Sequence, residues 1–323
     1  MRILVTGGAG YIGSHTVRAL VERGDRVVVL DNLSTGHRDA TRGAELVVGD
    51  LRDGSAVRRA LRRCRAESVV HFAAKALVPE SVRHPEEYFD VNVVGGLTLL
   101  REMTHYGVKK IVFSSSAAVY GEPRARLIHE NLPYDPINPY GETKALFEKM
   151  LKAFCAAFGV GSISLRYFNA AGAAPDGALG ERHDHETHVI PLVLRAALNP
   201  RKRFSIFGTD YPTPDGTCVR DFVHVCDLAD AHMLALGAVR PGKCEVYNLG
   251  CGHGYSVREV VETAKRVTGR PIRIAEGRCR PGDPPRLVAS SQKIRKRLGW
   301  KPRHASLESI IRDAWRFELA GRR

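Results

Sequence analysis

A tyrosine and a lysine four residues apart are the residues whose types and spacing best suit proton-transfer chemistry. Tyr140 and Lys144 lie in the segment Y-G-E-T-K, and residues at i and i+4 of a helix share one face. A nearby ammonium group favours the phenolate and lowers the tyrosine pKa from its usual value of about 10. Ser116 ends the run Ser114-Ser115-Ser116 after an apolar segment, and its hydroxyl can bridge a substrate hydroxyl and the phenol. We predict Ser116, Tyr140 and Lys144 as catalytic residues, with Tyr140 as the general base.

A glycine-rich turn near the start of the chain predicts a dinucleotide site. The run T-G-G-A-G-Y-I-G at 6–13 follows an apolar segment, precedes a helical one, and is followed by Asp31 after a second apolar segment. Glycines let the backbone turn tightly and approach a pyrophosphate at the start of a helix. Asp31 would accept hydrogen bonds from ribose hydroxyls and repel a 2′-phosphate, which favours NAD over NADP.

Two further strand ends carry candidate cofactor contacts. Asp50 follows Val48 and Gly49, and it either bonds the adenine amino group or caps the next helix, for which Asp53 is an equally good cap. The run H-F-A-A at 71–74 places small residues where a cofactor could lie close to the sheet edge, and we expect His71 itself to be packed in the core.

The elements needed to bring these residues together are those of a doubly wound sheet. Apolar runs rich in Val and Ile alternate with amphipathic helical stretches, which predicts a Rossmann-type α/β fold with a parallel sheet. We place the NAD-binding domain at residues 1–172 and a smaller C-terminal α/β substrate domain at 173–323, with a stretch near 218–240 that could return to the first domain. The predicted strands are Arg2–Thr6, Arg26–Leu30, Glu45–Val48, Ser68–Phe72, Lys110–Ser114 and Ser162–Leu165. The predicted helices are Ile12–Arg23, Ser55–Arg63, Pro85–Tyr106 and Tyr140–Phe158.

Composition excludes several classes of protein. With 44% hydrophobic and 26% charged residues, the 323-residue chain is globular, and no apolar run approaches the roughly 20 residues that a membrane helix needs. The net charge of +14 could attract nucleic acid, but the basic block at 286–303 lacks interleaved aromatics and is typical of a solvated helix face. We expect no nucleic-acid partner, and the positive field would attract an anionic small substrate.

Cysteine usage and the first residues of the chain predict a cytoplasmic protein. The seven cysteines include no C-x-x-C pair, which is typical of reduced thiols, and a strand at residues 2–6 leaves no room for a signal peptide. The histidine-rich stretch 183–188 invites a metal interpretation. Histidines two residues apart do not share a helix face, so we predict a solvated loop near the substrate and no metal site.

Seven segments together resemble the UDP-glucose 4-epimerases, a family of extended short-chain dehydrogenases/reductases, over nearly the whole chain. The most specific is F-G-T-D-Y-P-T-P-D-G-T-C-V-R-D-F at 207–222. The others are T-G-G-A-G-Y-I-G-S-H at 6–15, D-N-L-S-T-G at 31–36, F-S-S-S-A-A-V-Y-G at 113–121, N-P-Y-G-E-T-K at 138–144, L-R-Y-F-N-A-A-G at 165–172 and Y-N-L-G at 247–250.

The resemblance implies a mechanism and an assembly. Tyr140 would take the proton from the sugar 4-hydroxyl while hydride leaves C4 for a tightly held NAD. The 4-ketose would then turn over in the site and receive the hydride on its other face, without net redox change. The family resemblance also implies a homodimer with a four-helix contact, to which the apolar stripes of 85–106 and 140–158 would contribute. The same stripes could instead face the sheet.

Site residues follow by position from the same resemblance. Cofactor contacts are implied for Gly7, Gly10, Tyr11, Ile12, Gly13, Asp31, Asn32, Leu33, Ser34, Thr35, Gly36, Asp50, Leu51, Phe72, Ala73, Ala74, Asn92, Ser114, Tyr140, Lys144 and Phe168. UDP-sugar contacts are implied for Ser116, Tyr140, Asn169, His188, Val189, Ser205, Phe207, Arg220, Arg280, Asp283 and Leu287. The two arginines suit a diphosphate because a guanidinium can form two parallel bonds to phosphate oxygens, although Arg220 could instead pair with Asp221.

Two positions depart from the family pattern. Lys75 follows Phe72-Ala73-Ala74 directly, with Ala76 where the family often has lysine, so a contact between Lys75 and the cofactor stays open. Leu287 stands four residues after Asp283, where relatives admit or exclude a 2-acetamido group by side-chain size. Leucine is intermediate in size and predicts weak activity on UDP-N-acetylhexosamines.

The rival functions differ from the epimerase in the residues that they require. A nucleotide-sugar 4,6-dehydratase needs an acid and a base after the residue aligned with Ser116, and here alanines follow it at 117 and 118. A UDP-uronic acid 4-epimerase or a decarboxylase differs only in contacts to the sugar C6 and stays an alternative. A non-enzymatic NAD-sensing regulator would have little need of Ser116, Tyr140 and Lys144 together.

Overall fold

A parallel sheet of seven strands forms the centre of the larger unit. Its strand order is β11 (Cys244–Leu249), β6 (Gly161–Tyr167), β5 (Lys110–Ser116), β4 (Ser68–His71), β1 (Arg2–Thr6), β2 (Arg26–Asp31) and β3 (Glu45–Val48). The computed structural model describes residues 1–184, 186–279 and 284–321. Within these residues all neighbouring strands of this seven-stranded sheet run parallel. The order reverses between β1 and β4, where crossovers leave in opposite directions and open a crevice at the carboxyl ends of the strands. The predicted doubly wound Rossmann-type fold is confirmed.

Alternation along the strands explains why helices cover both faces of the sheet. In the first strand, Ile3 and Val5 pack into one apolar layer, with α1 and α8, while Leu4 packs into the other, with α2, α5 and α6. Side chains of a strand point alternately to opposite faces, so a buried run of Val, Ile and Leu requires cover on both sides.

The strands and helices have the following bounds. The strands are β1 Arg2–Thr6, β2 Arg26–Asp31, β3 Glu45–Val48, β4 Ser68–His71, β5 Lys110–Ser116, β6 Gly161–Tyr167, β7 Asn169–Ala171, β8 Arg203–Phe207, β9 Val219–Arg220, β10 Phe222–His224, β11 Cys244–Leu249, β12 Tyr255–Ser256, β13 Arg273–Gly277 and β14 Arg286–Leu287. The helices are α1 Tyr11–Glu22, α2 Gly54–Cys64, α3 Val78–Arg83, α4 Pro85–Tyr88, α5 Gly95–His105, α6 Pro139–Phe158, α7 Val189–Leu198, α8 Val225–Ala238, α9 Val257–Thr268, α10 Gln292–Leu298 and α11 Leu307–Ala320. Among the described residues no helix has the length and apolarity to span a bilayer.

A smaller unit is built on α7, α9 and α11, which share an apolar core with residues of β8, β10 and the end of β7. Three short sheets belong to this part of the chain: β10-β7, β12-β9-β14 and β13-β8. Between its segments the chain returns to the larger unit, because α8 packs against α1 and β11 pairs with β6. The two units are therefore joined by more than one crossing of the backbone.

The predicted helix Pro85–Tyr106 is interrupted by a wider turn. Residues Phe89–Val94 form a π-helix between α4 and α5. The wider turn includes the buried Asn92, whose amide bonds the backbone of Lys75 and the hydroxyl of Thr143. π-turns inside helices frequently occur at functional sites, and this one lies beside the catalytic helix α6.

Candidate active site

The loops that follow β1 and β4 meet at the crevice through backbone alone. Gly7 has a φ of +71°, and a Cβ there would lie 2.4 Å from the backbone nitrogen of Ala73. A Cβ on Gly13 would lie 2.2 Å from the carbonyl oxygen of Gly7, so this turn into α1 requires glycine. Gly10 precedes α1 without a side-chain cap, and a Cβ there would have only the Gly7 oxygen, at 3.5 Å, close by. An anion could therefore approach the start of α1 closely.

Asp31 ties this glycine loop to the turn after β2. Its Oδ2 accepts the N–H of Ala9 at 2.9 Å, and its Oδ1 accepts the N–H of Leu33 at 2.8 Å. Burial raises the pKa of the Asp31 carboxyl, and the two N–H donors partly offset that rise. Each carboxylate oxygen retains lone pairs for further donors. The glycine loop and Asp31 thus fit a pyrophosphate and an adenosine ribose.

Asp50 belongs to an ion-paired cluster at the same sheet edge. Its oxygens accept hydrogen bonds from the Arg52 guanidinium at 2.8 and 2.9 Å and from Nδ2 of Asn32 at 3.0 Å. Arg52 holds the pKa of the Asp50 carboxyl well below its usual range. The cap of α2 is Asp53, whose side chain accepts the N–H of Ser55, so the alternative in which Asp50 caps this helix is wrong.

The other predicted cofactor residues differ in their hydrogen bonds and in how far they are buried. The phenol of Tyr11, at the start of α1, donates to the carbonyl oxygen of Gly172 at 2.6 Å. Leu51 is buried in the apolar layer with α2. The turn residues after β2 include the exposed Ser34 and Thr35. The partly buried positions are Ile12, Leu33, Gly36, Phe72, Ala73, Ala74 and Phe168.

Asn92 anchors the loop after β4. Its Oδ1 accepts the N–H of Lys75 at 2.8 Å, while Nδ2 donates to the Lys75 carbonyl and to Oγ1 of Thr143, both at 3.0 Å. Lys75 itself forms ion pairs with Glu80 and Glu87. Asn92 therefore connects the π-turn, the crevice loop and the catalytic helix.

The predicted catalytic residues converge at the carboxyl end of β5. Ser116 is the last residue of β5, and α6 begins at Pro139 with Asn138 as its cap, which puts Tyr140 and Lys144 in the first turns of the helix. Nζ of Lys144 is buried, donates to the carbonyl oxygen of Ser114 at 2.8 Å, and lies 5.7 Å from the centre of the Tyr140 ring. The structure thus brings Ser116, Tyr140 and Lys144 together.

Burial dominates the electrostatics of this group. It raises the pKa of the Tyr140 phenol, and the hydrogen bond with Ser116 is the interaction that lowers it. Burial also lowers the pKa of Lys144 to about 7, against a smaller opposing effect of Glu148. The expected lowering of the tyrosine pKa by Lys144 is not found in the cofactor-free chain, because desolvation disfavours both charged forms.

A buried ion pair behind the catalytic strand was missed by the sequence analysis. Arg166 donates to both oxygens of Glu148, at 2.9 and 2.6 Å, and both side chains are almost fully buried. Ser115 and Tyr134 also donate to Glu148, and Arg166 donates to the Tyr120 hydroxyl. Glu148 lies four residues after Lys144, so the pattern Y-x-x-x-K-x-x-x-E on one helix face was the available signal.

Two further tyrosines near Tyr140 were also missed. The ring of the buried Tyr88 stands at 84° to that of Tyr140, with centres 6.5 Å apart, and its hydroxyl donates to Glu80. The hydroxyls of Tyr167 and Ser114 form a hydrogen bond beside the same site. The sequence spacing does not mark Tyr88 and Tyr167, because they lie in α4 and β6, whereas Tyr140 lies in α6.

Apart from Ser116 and Tyr140, the described residues among the predicted UDP-sugar contacts lie in β7, β8, β9 and β14 and at the start of α7. Asn169, in β7, donates through its side chain to the carbonyl oxygen of Asp221. Arg220, in β9, donates to the carbonyl oxygens of Val219 and Pro284. Leu287 pairs with Arg220 across β14 and β9 and packs, together with Phe168, against Ala117, Val119, Tyr120, Ile128 and Ala145. Ser205 and Phe207 lie in β8, His188 and Val189 lie at the start of α7, and Arg280 and Asp283 lie outside the described residues.

The histidine-rich stretch is more ordered than a solvated loop. Glu181 and Glu186 are buried, and both His183 and His188 place Nδ1 within 3.5 Å of their carboxylate oxygens. The stretch forms a loop and His188 is exposed, as predicted, but the prediction of a solvated loop is wrong for Glu186, because this acid and Glu181 turn inward.

Fold and site define an enzyme class that couples a dinucleotide to a Ser-Tyr-Lys group, as in the extended short-chain dehydrogenases/reductases. A sequence model described as the NAD dependent epimerase/dehydratase family matches residues 3–250. The chain is 51% identical to the UDP-glucose 4-epimerase of Halalkalibacterium halodurans over 316 residues, covering 98% of this chain and 95% of the relative. It belongs to the NAD dependent epimerase/dehydratase family.

Solved structures agree with this assignment. The Brucella ovis UDP-glucose 4-epimerase in complex with NAD has a TM-score of 0.93 and 44% identity, with 97% of each chain covered. The Bifidobacterium longum UDP-glucose 4-epimerase in complex with NAD+ and UDP has a TM-score of 0.94 and 36% identity, with 99% of this chain and 98% of that chain covered. The resemblance inferred from the sequence motifs is confirmed.

Proposed function

We propose that the protein interconverts UDP-glucose and UDP-galactose as an NAD-dependent 4-epimerase. The observation that carries this proposal is the convergence of Ser116, Tyr140 and Lys144 at the end of β5, in a chain about half identical to UDP-glucose 4-epimerases over nearly its full length. The glycine loop 7–13 and Asp31 would hold the cofactor.

The residues of the chain perform the proton chemistry. Tyr140 takes the proton from the sugar 4-hydroxyl and later returns a proton to the same oxygen, and the Ser116 hydroxyl stabilises the phenolate by a hydrogen bond. Lys144 is held by the Ser114 carbonyl close to the phenol, so its ammonium form stabilises the same negative charge. NAD, when bound, supplies the hydride acceptor and donor for sugar C4, and its oxidised form adds positive charge to the site. Because the configuration at C4 is inverted, the 4-keto sugar must turn its opposite face toward the cofactor before the hydride returns.

The nucleotide end of the substrate would lie against the smaller unit. Asn169 lies in β7, Arg220 lies in the strand pair β9-β14, and Val189 is the first residue of α7. A guanidinium and a helix start both favour a diphosphate. These assignments, like those of Ser205 and Phe207, are part of the proposal.

Replacing the phenol tests the reaction. We expect Tyr140→Phe to lower kcat by roughly 10²–10⁴-fold, the usual worth of a general base, while the purified variant still retains NAD. Tyr106→Phe is the matched control, because the Tyr106 hydroxyl only accepts a surface hydrogen bond from Arg62. Product sugars would be analysed after incubation with UDP-glucose and, separately, with UDP-glucuronic acid. Undiminished inversion of UDP-glucose by Tyr140→Phe would contradict the mechanism, and turnover of UDP-glucuronic acid alone would favour the uronic acid 4-epimerase.

A second activity is proposed from Leu287. This partly buried side chain packs close to Phe168 and to the turn after Ser116, where the sugar would lie. We expect weak turnover of UDP-N-acetylglucosamine, which Leu287→Tyr lowers by roughly tenfold or more and Leu287→Ala raises, with UDP-glucose turnover little changed. Steady-state rates on both substrates check this. If the parent chain shows no detectable turnover of the N-acetyl sugar, the idea is wrong.

The finer statements about assembly and location are also proposals. Phe89, Val94 and Leu97 are exposed on the stretch α4–α5, with Val94 half exposed, and a second copy of the chain would cover them in a homodimer. No disulfide joins the seven cysteines, all of which lie within the described residues. Reduced thiols are typical of the cytoplasm, where we place the enzyme.

A further inference from the structure

Four side chains of the stretch 181–188 point their donor atoms at one another. Glu181, His183, Glu186 and His188, called here the 181–188 cluster, each offer one ligand atom within 4.8 Å of the others. The cluster lies in the segment between β7 and α7, directly before the first residue of α7 at Val189. The spacing E-x-H-x-x-E-x-H repeats an acid and a histidine two residues apart.

The distances between these donor atoms lie on either side of the edge length of a metal coordination shell. Nδ1 of His183 is 3.3 Å from Oε1 of Glu181 and 3.5 Å from Oε2 of Glu186. Nδ1 of His188 is 2.8 Å from Oε1 of Glu181 and 2.9 Å from Oε1 of Glu186. Four nitrogen or oxygen ligands at about 2.0 Å from a tetrahedral zinc ion lie about 3.3 Å apart.

One carboxylate oxygen points into the cluster without a hydrogen bond. The Glu186 side chain is 1% exposed, and its Oε1 accepts the N–H groups of Thr187 and His188, each at 2.8 Å. Its Oε2 receives no hydrogen bond from the described residues and faces Nδ1 of His183, which likewise makes none. A buried polar atom without such a partner is costly, and a cation at the centre of the cluster would satisfy it.

We propose that the 181–188 cluster binds one divalent transition-metal ion, with Zn²⁺ as the ion that suits it best. Two imidazole nitrogens and two carboxylate oxygens form a ligand set that zinc accepts, in the four-coordinate arrangement typical of structural sites. His183 and His188 are 25% and 47% exposed, so the ion can enter from the solvent side. The proposal departs from the sequence prediction of no metal.

The ion would stabilise the segment that leads into α7. The same segment is tied to the turn after β2, because Arg182 bonds Asp39 at 2.9 Å and its carbonyl oxygen lies 3.1 Å from Nε2 of His37. A metal bound here would therefore hold together the predicted cofactor turn and the predicted substrate position at Val189. It would also occupy Nδ1 of His188, which we predicted as a substrate contact.

The competing physical account is a set of hydrogen-bonded ion pairs. Two protonated histidines between two carboxylates would produce similar donor distances without any metal. The two accounts differ in what they bind, because imidazolium has no lone pair for a metal, whereas a metal site requires neutral histidines.

Cobalt substitution separates these accounts. Tag-free, NAD-loaded protein would be treated with a chelator and titrated with Co²⁺, followed by visible absorption and by elemental analysis after Zn²⁺ reloading. We expect one metal equivalent per chain and the visible bands of four-coordinate cobalt. Glu186→Gln and His183→Ala should each weaken binding by roughly a hundredfold or more. His84→Ala is the matched control, because His84 lies beside Glu86 and Glu87 in a fully exposed cluster and should leave binding unchanged.

Circular dichroism and NAD content keep the test interpretable if a variant is destabilised. A variant that keeps its fold and its NAD but loses the cobalt bands supports the proposal. The proposal is overturned if the parent chain shows no visible cobalt bands and no metal equivalent. It is also overturned if both well-folded cluster variants bind cobalt as tightly as His84→Ala.

Discussion

At the scale of single residues, the site is organised by the burial of charge. Lys144 is an ammonium group in a nearly dry environment, with the Ser114 carbonyl as acceptor and Glu148 one helical turn further on. Desolvation lowers its pKa to about 7, so a neutral and a charged form have similar free energies near neutral pH. A residue in this state responds readily to charge brought by a ligand.

This lowered pKa makes the stability of the NAD-free chain depend on pH. Between about pH 7 and pH 10 the unfolded lysine is charged while the folded one is largely neutral, so the unfolded state binds more protons and stability rises with pH. The slope from this group is at most about 1.4 kcal/mol per pH unit. Urea unfolding near pH 7 and pH 9 should show the parent gaining about 2 kcal/mol relative to Lys144→Met. Parallel curves for the two proteins would contradict the assignment.

The ion pair between Glu148 and Arg166 predicts a large loss on breaking one side. In Glu148→Gln the buried Arg166 guanidinium loses its carboxylate partner and faces a neutral amide instead. We therefore expect a loss of about 3–5 kcal/mol in the free energy of unfolding. Glu45→Gln, which breaks an exposed pair with Arg63, should cost less than about 1 kcal/mol. Denaturant unfolding of both variants measures this. Equal small losses would show that the buried pair is not coupled to stability.

At the scale of elements, the turn from β1 into α1 leaves no room for a side chain at Gly7 or Gly13. A Cβ at Gly13 would overlap the Gly7 carbonyl oxygen, and that loop already touches the backbone at Ala73. The turn therefore requires glycine at these positions. The absence of side chains there also lets a phosphate group approach the backbone closely.

We expect Gly13→Ala to displace this loop and to abolish retention of NAD. Gly237→Ala in α8 is the control, since a Cβ there meets nothing within 4 Å, and alanine in a helix should stabilise the chain by about 0.5–1 kcal/mol. Nucleotide released by denaturation and thermal unfolding would be measured for both. Full NAD content in Gly13→Ala would contradict the role of the loop.

At the scale of the whole molecule, the apolar surface is uneven. Val94 and Leu97 are exposed in one stretch with Phe89, whereas Leu319 is the one large hydrophobic side chain exposed within the described helix α11. We expect the parent chain to sediment as a dimer and the Val94→Glu/Leu97→Glu variant to sediment as a monomer, because charges in the contact would be desolvated. Leu319→Glu should not change the assembly. A monomeric parent would remove the homodimer proposal.

Some features of the protein could be predicted from the sequence, and others required the structure. Segments whose chemistry is local, such as the glycine loop with Asp31, the Tyr140–Lys144 spacing and the Val-rich strands, were recognised because their spacing encodes their geometry. The parallel sheet agrees with the Val-rich strands, and the predicted catalytic residues lie together at the end of β5. The π-turn at Phe89–Val94 was not recognised from the sequence, because Asn92 within it bonds Thr143 of another helix, and no local pattern records such a contact.

By itself, then, the sequence determined the dinucleotide fold and the family, and it predicted the proton-transfer group, since each corresponds to short repeating patterns or to contiguous motifs. Only the tertiary structure decided that Glu148 and Arg166 pair behind the predicted active site, that burial raises the Tyr140 pKa in the cofactor-free chain, and that the acids at 181 and 186 turn inward beside two histidines. These depend on which side chains are removed from water together, and that is a property of packing between distant segments.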